Sequence, residues 1–277
     1  MRGCEMDFIQ INTMAEYRQF LSGRKILNNS FTAQETQKYI AREALAGINS
    51  NFPVLLYDEK KYYQMCLSVM NVEILSEILT TVDKTVVSYV REDCSRANNN
   101  ISLRELLSKS GFVELQTFYE FRLKLDDHSF NPEELSKYGL QKKEVWCEKD
   151  YARVLELWKD NIPMYELPFI AMEDIEAYVC AGQLIALEDI SSQKTVAAVC
   201  FETLLGRSLI RHLVVDKAYR GRGFGATLLR QALAEVQKRG PKAWAWVAET
   251  NTASRKTFEK NGFFITPVKM YQYILRR

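Results

Sequence analysis

Between Leu213 and Gly225 the chain reads Leu-Val-Val-Asp-Lys-Ala-Tyr-Arg-Gly-Arg-Gly-Phe-Gly. An apolar stripe follows without a gap: Leu228, Leu229, Ala232, Leu233 and Val236, at helical spacing. Gly240-Pro241 punctuates the far end, with Lys238 and Arg239 just before it, where cations suit the helix dipole. A glycine-rich turn that feeds a helix N-terminus leaves several backbone N–H groups unpaired and pointing one way, which suits an anion and above all a phosphate. Glycine lets the backbone approach such a ligand closely and take positive φ. Two other readings share the composition: a solvated Arg-Gly loop and an RNA-binding Arg-Gly segment. The glycine spacing is not that of the dinucleotide fingerprint, and the Gly-Lys-Ser/Thr ending of a Walker loop is absent.

The elements that must hold this loop follow from the flanking patterns. From residue 145 onward the order reads strand, two helices, three strands, loop, helix, strand, helix, strand. Val145-Trp146 opens it, a helix begins near Asp150, and Met172–Ala181 forms a second helix stopped by Gly182. Leu184–Glu188, Thr195–Leu204 and Ser208–Val215 are the three strands, joined by tight turns. Trp244 and Trp246, on the strand after the long helix, are expected in the core.

The first half is read as an α/β unit of its own. The first fifty residues are expected to be mainly helical, with a stripe at Tyr39, Ile40, Ala44, Leu45 and Ile48. Strands at 53–57 and Tyr62–Val69 form a hairpin, Val72–Leu79 a helix, and Val86–Val90 a strand. A short helix Leu103–Ser108 leads to Phe118–Leu125. This last portion recurs: Lys109-Ser110-Gly111-Phe112 and then Tyr119–Leu123 parallel Lys260-Asn261-Gly262-Phe263 and then Tyr271–Leu275. The repeat suggests two related α/β domains in tandem. The polar stretch 126–132, with a solvated His128, is the natural hinge. The expected boundaries are 1–126, a linker 127–142, and 143–277. Nothing between Val69 and Val86 resembles the glycine loop, so the first copy is expected to be degenerate and unable to hold a phosphate the same way.

Composition narrows the function. The net charge of +2 divides into −3 over residues 1–140 and +5 over 141–277, so the basic half carries the loop. That excess is too weak for nucleic acid and suits an anionic cofactor. Six scattered cysteines lack Cys-x-x-Cys spacing, which favours free thiols in a reducing cytoplasm over disulfides or a metal. There is no secretory apolar segment and no membrane-length apolar run.

With Arg220, Gly223 and Gly225 after a strand containing Leu213 and Val215, the loop resembles the pyrophosphate loop of GCN5-related N-acetyltransferases (GNAT). A second segment, Asn251-Thr252-Ala253-Ser254-Arg255-Lys256-Thr257-Phe258-Glu259-Lys260-Asn261-Gly262-Phe263, is similar to that family's Asn-x-x-Ala/Ser-x-x-hydrophobic-Tyr-x-Lys-x-Gly-Phe motif. The element order from 145 to 277 is similar to the whole GNAT fold. The resemblance implies a tandem of two GNAT-like domains, each a mixed, largely antiparallel twisted sheet flanked by helices. It also implies acetyl-CoA as acyl donor. The backbone of Leu213, Val214 and Val215 would pair with the pantetheine arm, and Arg220, Gly221, Arg222, Gly223, Phe224 and Gly225 would cradle the pyrophosphate. Asn251 and Phe258 would lie along the far side of the arm.

The implied reaction is direct attack of a neutral amine on the thioester, which needs a base and, ideally, an acid for the departing thiolate. The family's usual acid is the tyrosine that is Phe258 here; Tyr271 or Tyr273 could substitute, unless they are structural strand tyrosines. Glu202, Glu249 and His212 are the candidate bases, each with a structural alternative as an edge carboxylate or a satisfied histidine. The acceptor is expected to be a small-molecule amine, with no metal, nucleic acid or membrane involved and the chain a monomer or homodimer. An acyl-CoA sensor without turnover is the competing reading.

Overall fold

The computed structural model describes residues 7–22, 33–43, 45–49, 54–67, 72–80, 82–95, 101–130, 135–166 and 170–276. The chain divides into two compact units, Met1–Phe118 with Pro267–Arg277, and Tyr119–Thr266. The first begins with β1 (Asp7–Gln10), α1 (Met14–Phe20), α2 (Ala33–Ala41) and the strands β2 (Leu45–Asn49), β3 (Val54–Asp58) and β4 (Tyr62–Leu67). The helix expected to run on through Leu45 and Ile48 instead ends at Ala41, and those residues lie in β2, which pairs with both β1 and β3. Tertiary pairing overrides the helical spacing, because Leu45 has no exposed surface once inserted between two strands. Residues 68 and 69, read as the end of a strand, lie outside the described residues. Then come α3 (Val72–Thr80), β5 (Thr85–Asp93), α4 (Ile101–Lys109) and β6 (Val113–Lys124).

The second unit holds β7 (Leu140–Lys142), α5 (Glu148–Lys159), α6 (Met172–Cys180), β8 (Leu184–Asp189), β9 (Lys194–Leu204), β10 (Arg207–Val215), α7 (Phe224–Gln237), β11 (Lys242–Ala248), α8 (Thr252–Lys260) and the start of β12 (Phe264–Leu275). Strand β7 lies inside the segment expected to be linker; Leu140 is buried and pairs with Asp189. Val145-Trp146 is not a strand, and Val145 is 83% exposed.

Strand order shows why the units divide where they do. In the first unit it is β1-β2-β3-β4-β5-β12, and in the second β6-β11-β10-β9-β8-β7. Val268–Leu275, from the C-terminal copy, pairs antiparallel with β5 of the N-terminal copy. In return, Phe121, Leu123 and Leu125 enter the core of the second unit beside α7 and α8. The two repeated strands are exchanged. A division near residue 126 follows the sequence repeat, but the packing unit follows the exchanged strands.

The repeat itself reaches down to single hydrogen bonds. Helix α4 ends with Gly111 N–H to Ser108 O and Phe112 N–H to Leu107 O, and α8 with Gly262 N–H to Glu259 O and Phe263 N–H to Phe258 O. Both glycines have φ +87, the left-handed stop that favours glycine. His128, stacked on Phe130, covers Gly262, where an added Cβ would lie 2.9 Å from its Cε1. Gly262→Ala is therefore expected to destabilise the protein by about 2 kcal/mol, from positive φ plus the clash. Denaturant titration against wild type checks this; an unchanged midpoint would refute it.

Candidate active site

Strands β10 and β11 run parallel, yet they pair only over Arg207–Leu209 with Lys242–Trp244. Beyond Leu209 they separate, so the edge of β10 that faces β11 is open from Ile210 to Val215. On its other edge β10 pairs with β9 through a bulge: Arg211 opposes Cys200 and Val214 opposes Ala198. The extra residue bends β10 away and re-aims its side chains. An extended, amide-bearing chain can add to an open edge of this kind as one more strand.

The loop closes the mouth of this opening. Asp216 accepts from Ala218 N–H and starts a single 3-10 turn, Lys217–Tyr219. Gly221 and Gly223 have φ of +78 and +85, and a Cβ on either would meet nothing within 4 Å. Gly223 caps α7, whose Ala226 and Thr227 N–H groups both return to Gly223 O. The Phe224 and Gly225 N–H groups, at the first helical positions, have no carbonyl a turn behind them. A Cβ on Gly225 would point at Val215 Cγ2 and Leu213 Cδ2, 3.7 and 3.8 Å away, so the start of α7 lies against the end of β10. Open space, paired N–H donors and a helix dipole suit a diphosphate.

Side chains divide the expected binding residues into two groups. Arg220 does not reach outward: its Nε donates to Val215 O at 3.0 Å and its Nη2 to Asn161 Oδ1 at 2.6 Å, so it braces the loop. Arg222 is exposed, over the Tyr219 ring at 5.6 Å. Phe224 and Phe258 are core residues, 5% and 4% exposed, and Phe258 packs on Phe121 and Phe263. Asn251 caps α8 through Ser254 N–H at 3.0 Å.

The structure gathers some of the expected catalytic groups and separates others. Glu202 on β9 is bonded by the Tyr178 hydroxyl and by Arg211 Nη1 at 3.2 Å. Burial and the neighbouring carboxylate push the Tyr178 phenol well above its ordinary range. His212 sits within the bulge at φ +53, an unusual conformation for histidine, with its ring 5.0 Å from that of Trp158. Burial and then Arg211 hold its pKa well below 6.5, so it is neutral. Glu249, at the end of β11, accepts from the Tyr119 hydroxyl of β6, and this bond raises the Tyr119 pKa. Tyr271 belongs to the first unit, buried beneath the Arg104 guanidinium at 3.7 Å. Tyr273 is there too, bonded to Arg104 Nε at 3.0 Å.

Tyr178, Arg211, Trp158 and Tyr119 escaped the sequence reading, because only a register shift and a strand exchange place them. Glu166, in the α5–α6 connection, is a further carboxyl raised by burial. Trp244 and Trp246 are not core residues. Ala243, Ala245 and Val247 fill the core side of β11, and the tryptophans, edge to face at 6.1 Å, are half-buried on the opposite face.

The acetyltransferase (GNAT) family profile matches residues 141–263. Residues 141–263 belong to the GNAT family. No curated protein matches the chain. Among solved structures, a tandem GNAT protein from the clavulanic acid biosynthesis pathway is similar over 98% of both chains, at TM-score 0.63 and 13% identity. A GCN5-related N-acetyltransferase from Sphaerobacter thermophilus is similar over 84% of this chain and 80% of its own, at TM-score 0.62 and 13% identity. A GNAT-family acetyltransferase from Colwellia psychrerythraea covers 98% and 100%, at TM-score 0.59 and 14% identity. The likeness in fold to that tandem GNAT protein thus extends over 98% of the chain. That family transfers an acyl group from acetyl-CoA to an amine. Among the described residues no helix is long and apolar enough to cross a membrane.

Proposed function

We propose that the chain is an acetyl-CoA-dependent N-acetyltransferase acting on a primary amine of a small molecule. The observation that carries this is the opening between β10 and β11, ended by a glycine loop and a free helix N-terminus. Acetyl-CoA supplies the thioester acyl group. The backbone of Leu213, Val214 and Val215 receives the pantetheine arm, and the N–H groups from Gly221 to Gly225 hold the diphosphate. Arg220 keeps the loop in shape, and Asn251 fixes the start of α8 beside the arm.

Glu202 is the best-placed base, held by Tyr178 and Arg211 on the strand next to the bulge. It takes the proton from the amine nitrogen as the C–N bond forms, the C–S bond breaks and the sulfur leaves as a thiolate. A thiol's ordinary pKa of about 8.5 makes departure without an acid affordable near neutral pH. Glu249, held by Tyr119, is the alternative base.

The N-terminal unit is a second GNAT-like copy without donor-binding capacity, since residues 68–71, between β4 and α3, contain no glycine. Cys94, Cys147 and Cys180 are free thiols, which suits a reducing cytoplasm. Phe258, buried where the family's acid would stand, favours one competing reading: a sensor that binds acyl-CoA without turnover. Thiol release with a panel of amines, beside acetyl-CoA calorimetry, separates the two. Binding with release establishes the enzyme, binding without release the sensor, and no binding refutes both.

A further inference from the structure

The bulge in β10 has a consequence on the face of the sheet covered by α5 and α6. In a regular strand Arg211 and His212 would point to opposite faces. The extra residue turns both to the same side: Arg211 to Glu202, and His212 to Trp158 of α5. Trp158 is fully buried. Its Nε1 and the Nε2 of His212 are both buried and have no hydrogen-bond partner among the described residues. Leaving such atoms unpaired costs about 1–3 kcal/mol each, and here they belong to two rings whose centroids are 5.0 Å apart. Native proteins keep such pairs where a ligand or a water completes them.

We infer that Trp158 Nε1 and His212 Nε2 form an acceptor subsite for an uncharged hydroxyl group carried by the amine substrate. This deepens the acetyltransferase reading and rests on it. The chemistry of the two atoms selects the group. An indole N–H only donates, so the ligand atom must accept. The neighbouring cation, Arg211, is already committed to Glu202. His212 is neutral, because burial and that same guanidinium keep a proton off it. A carboxylate or phosphate would therefore lack a counter-charge. A hydroxyl oxygen accepts from Trp158, and its hydrogen donates to Nε2 in the imidazole tautomer that carries its proton on Nδ1, which satisfies both atoms at once. With the hydroxyl held there, the amine of the same molecule is directed to the strand that carries Glu202.

The test uses the full chain with coenzyme A and matched pairs of amines: ethanolamine with propylamine, serinamide with alaninamide, and glucosamine with cyclohexylamine. Four tryptophans give four indole N–H resonances, and the one lost in Trp158→Phe identifies Trp158. At least one hydroxylated amine is expected to shift this resonance while its partner leaves it in place. In thiol release the same amine is expected to be preferred by about tenfold or more, and Trp158→Phe should bring that preference to about one. His212→Asn, which tolerates positive φ, should do the same and guards against misfolding of the first variant. A resonance unmoved by every hydroxylated amine, or moved equally by both members of each pair, overturns the proposal and leaves only water in the subsite. Loss of acetyl-CoA binding in wild-type calorimetry would instead sink the donor reading. The resonance shift does not depend on turnover, so the two failures are distinguishable.

Discussion

Aspartate at both Gly223 and Gly225 is expected to reduce acetyl-CoA binding by more than a factor of about one hundred while leaving the fold nearly as stable as wild type. The two effects separate because one site answers them differently. Aspartate is a good helix cap, and it suits the positive end of α7. At Gly223 the φ of +85 costs roughly 1 kcal/mol, which the cap offsets. A Cβ at Gly223 meets nothing within 4 Å, and at Gly225 only ordinary contacts with Val215 and Leu213. A diphosphate held on the loop meets two new carboxylates. At a separation of about 5 Å each like-charge pair costs about 3 kcal/mol at the effective dielectric of a protein surface. Calorimetry with acetyl-CoA and a melting curve read the two quantities. Unchanged affinity would place the nucleotide elsewhere; a collapsed melting temperature would show that the glycines serve the fold and not the ligand.

That the loop was legible in advance reflects its local physics: three glycines, a helix stripe and a strand end lie within one short stretch. The stop at Gly182, with φ +61 just past α6, was legible for the same reason. What could not be read depends on pairs far apart in the chain. Tyr119 meets Glu249 only because β6 crosses into the second unit, and no spacing in the sequence reports this. Leu45 fits a helical stripe as well as a strand, and its neighbours in the sheet decide. His212 and Trp158 meet through a one-residue register shift, which no period-2 pattern encodes. The tryptophans of β11 mislead for a simpler reason: large apolar residues suggest a core, yet the small alanines occupy the crowded side.

The strand exchange makes a sharper prediction about where the chain can be cut. A fragment 127–277 contains the whole family segment, yet it is expected to fail to fold cooperatively. It lacks Phe121, Leu123 and Leu125, which are 0%, 2% and 0% exposed in the core of the second unit. Burial of each such side chain contributes about 1.5–3 kcal/mol, so their loss approaches the whole stability of an ordinary domain. The same fragment carries Val268–Leu275 without the strand it pairs with. A fragment 119–266, which follows the packing unit, is expected to unfold in one cooperative transition and to retain acetyl-CoA binding. Circular dichroism melts of the two fragments decide between packing and sequence repeat as the unit of folding. Cooperative melting by 127–277 but not by 119–266 would show that the exchange is dispensable, and that each copy can complete its sheet with its own final strand.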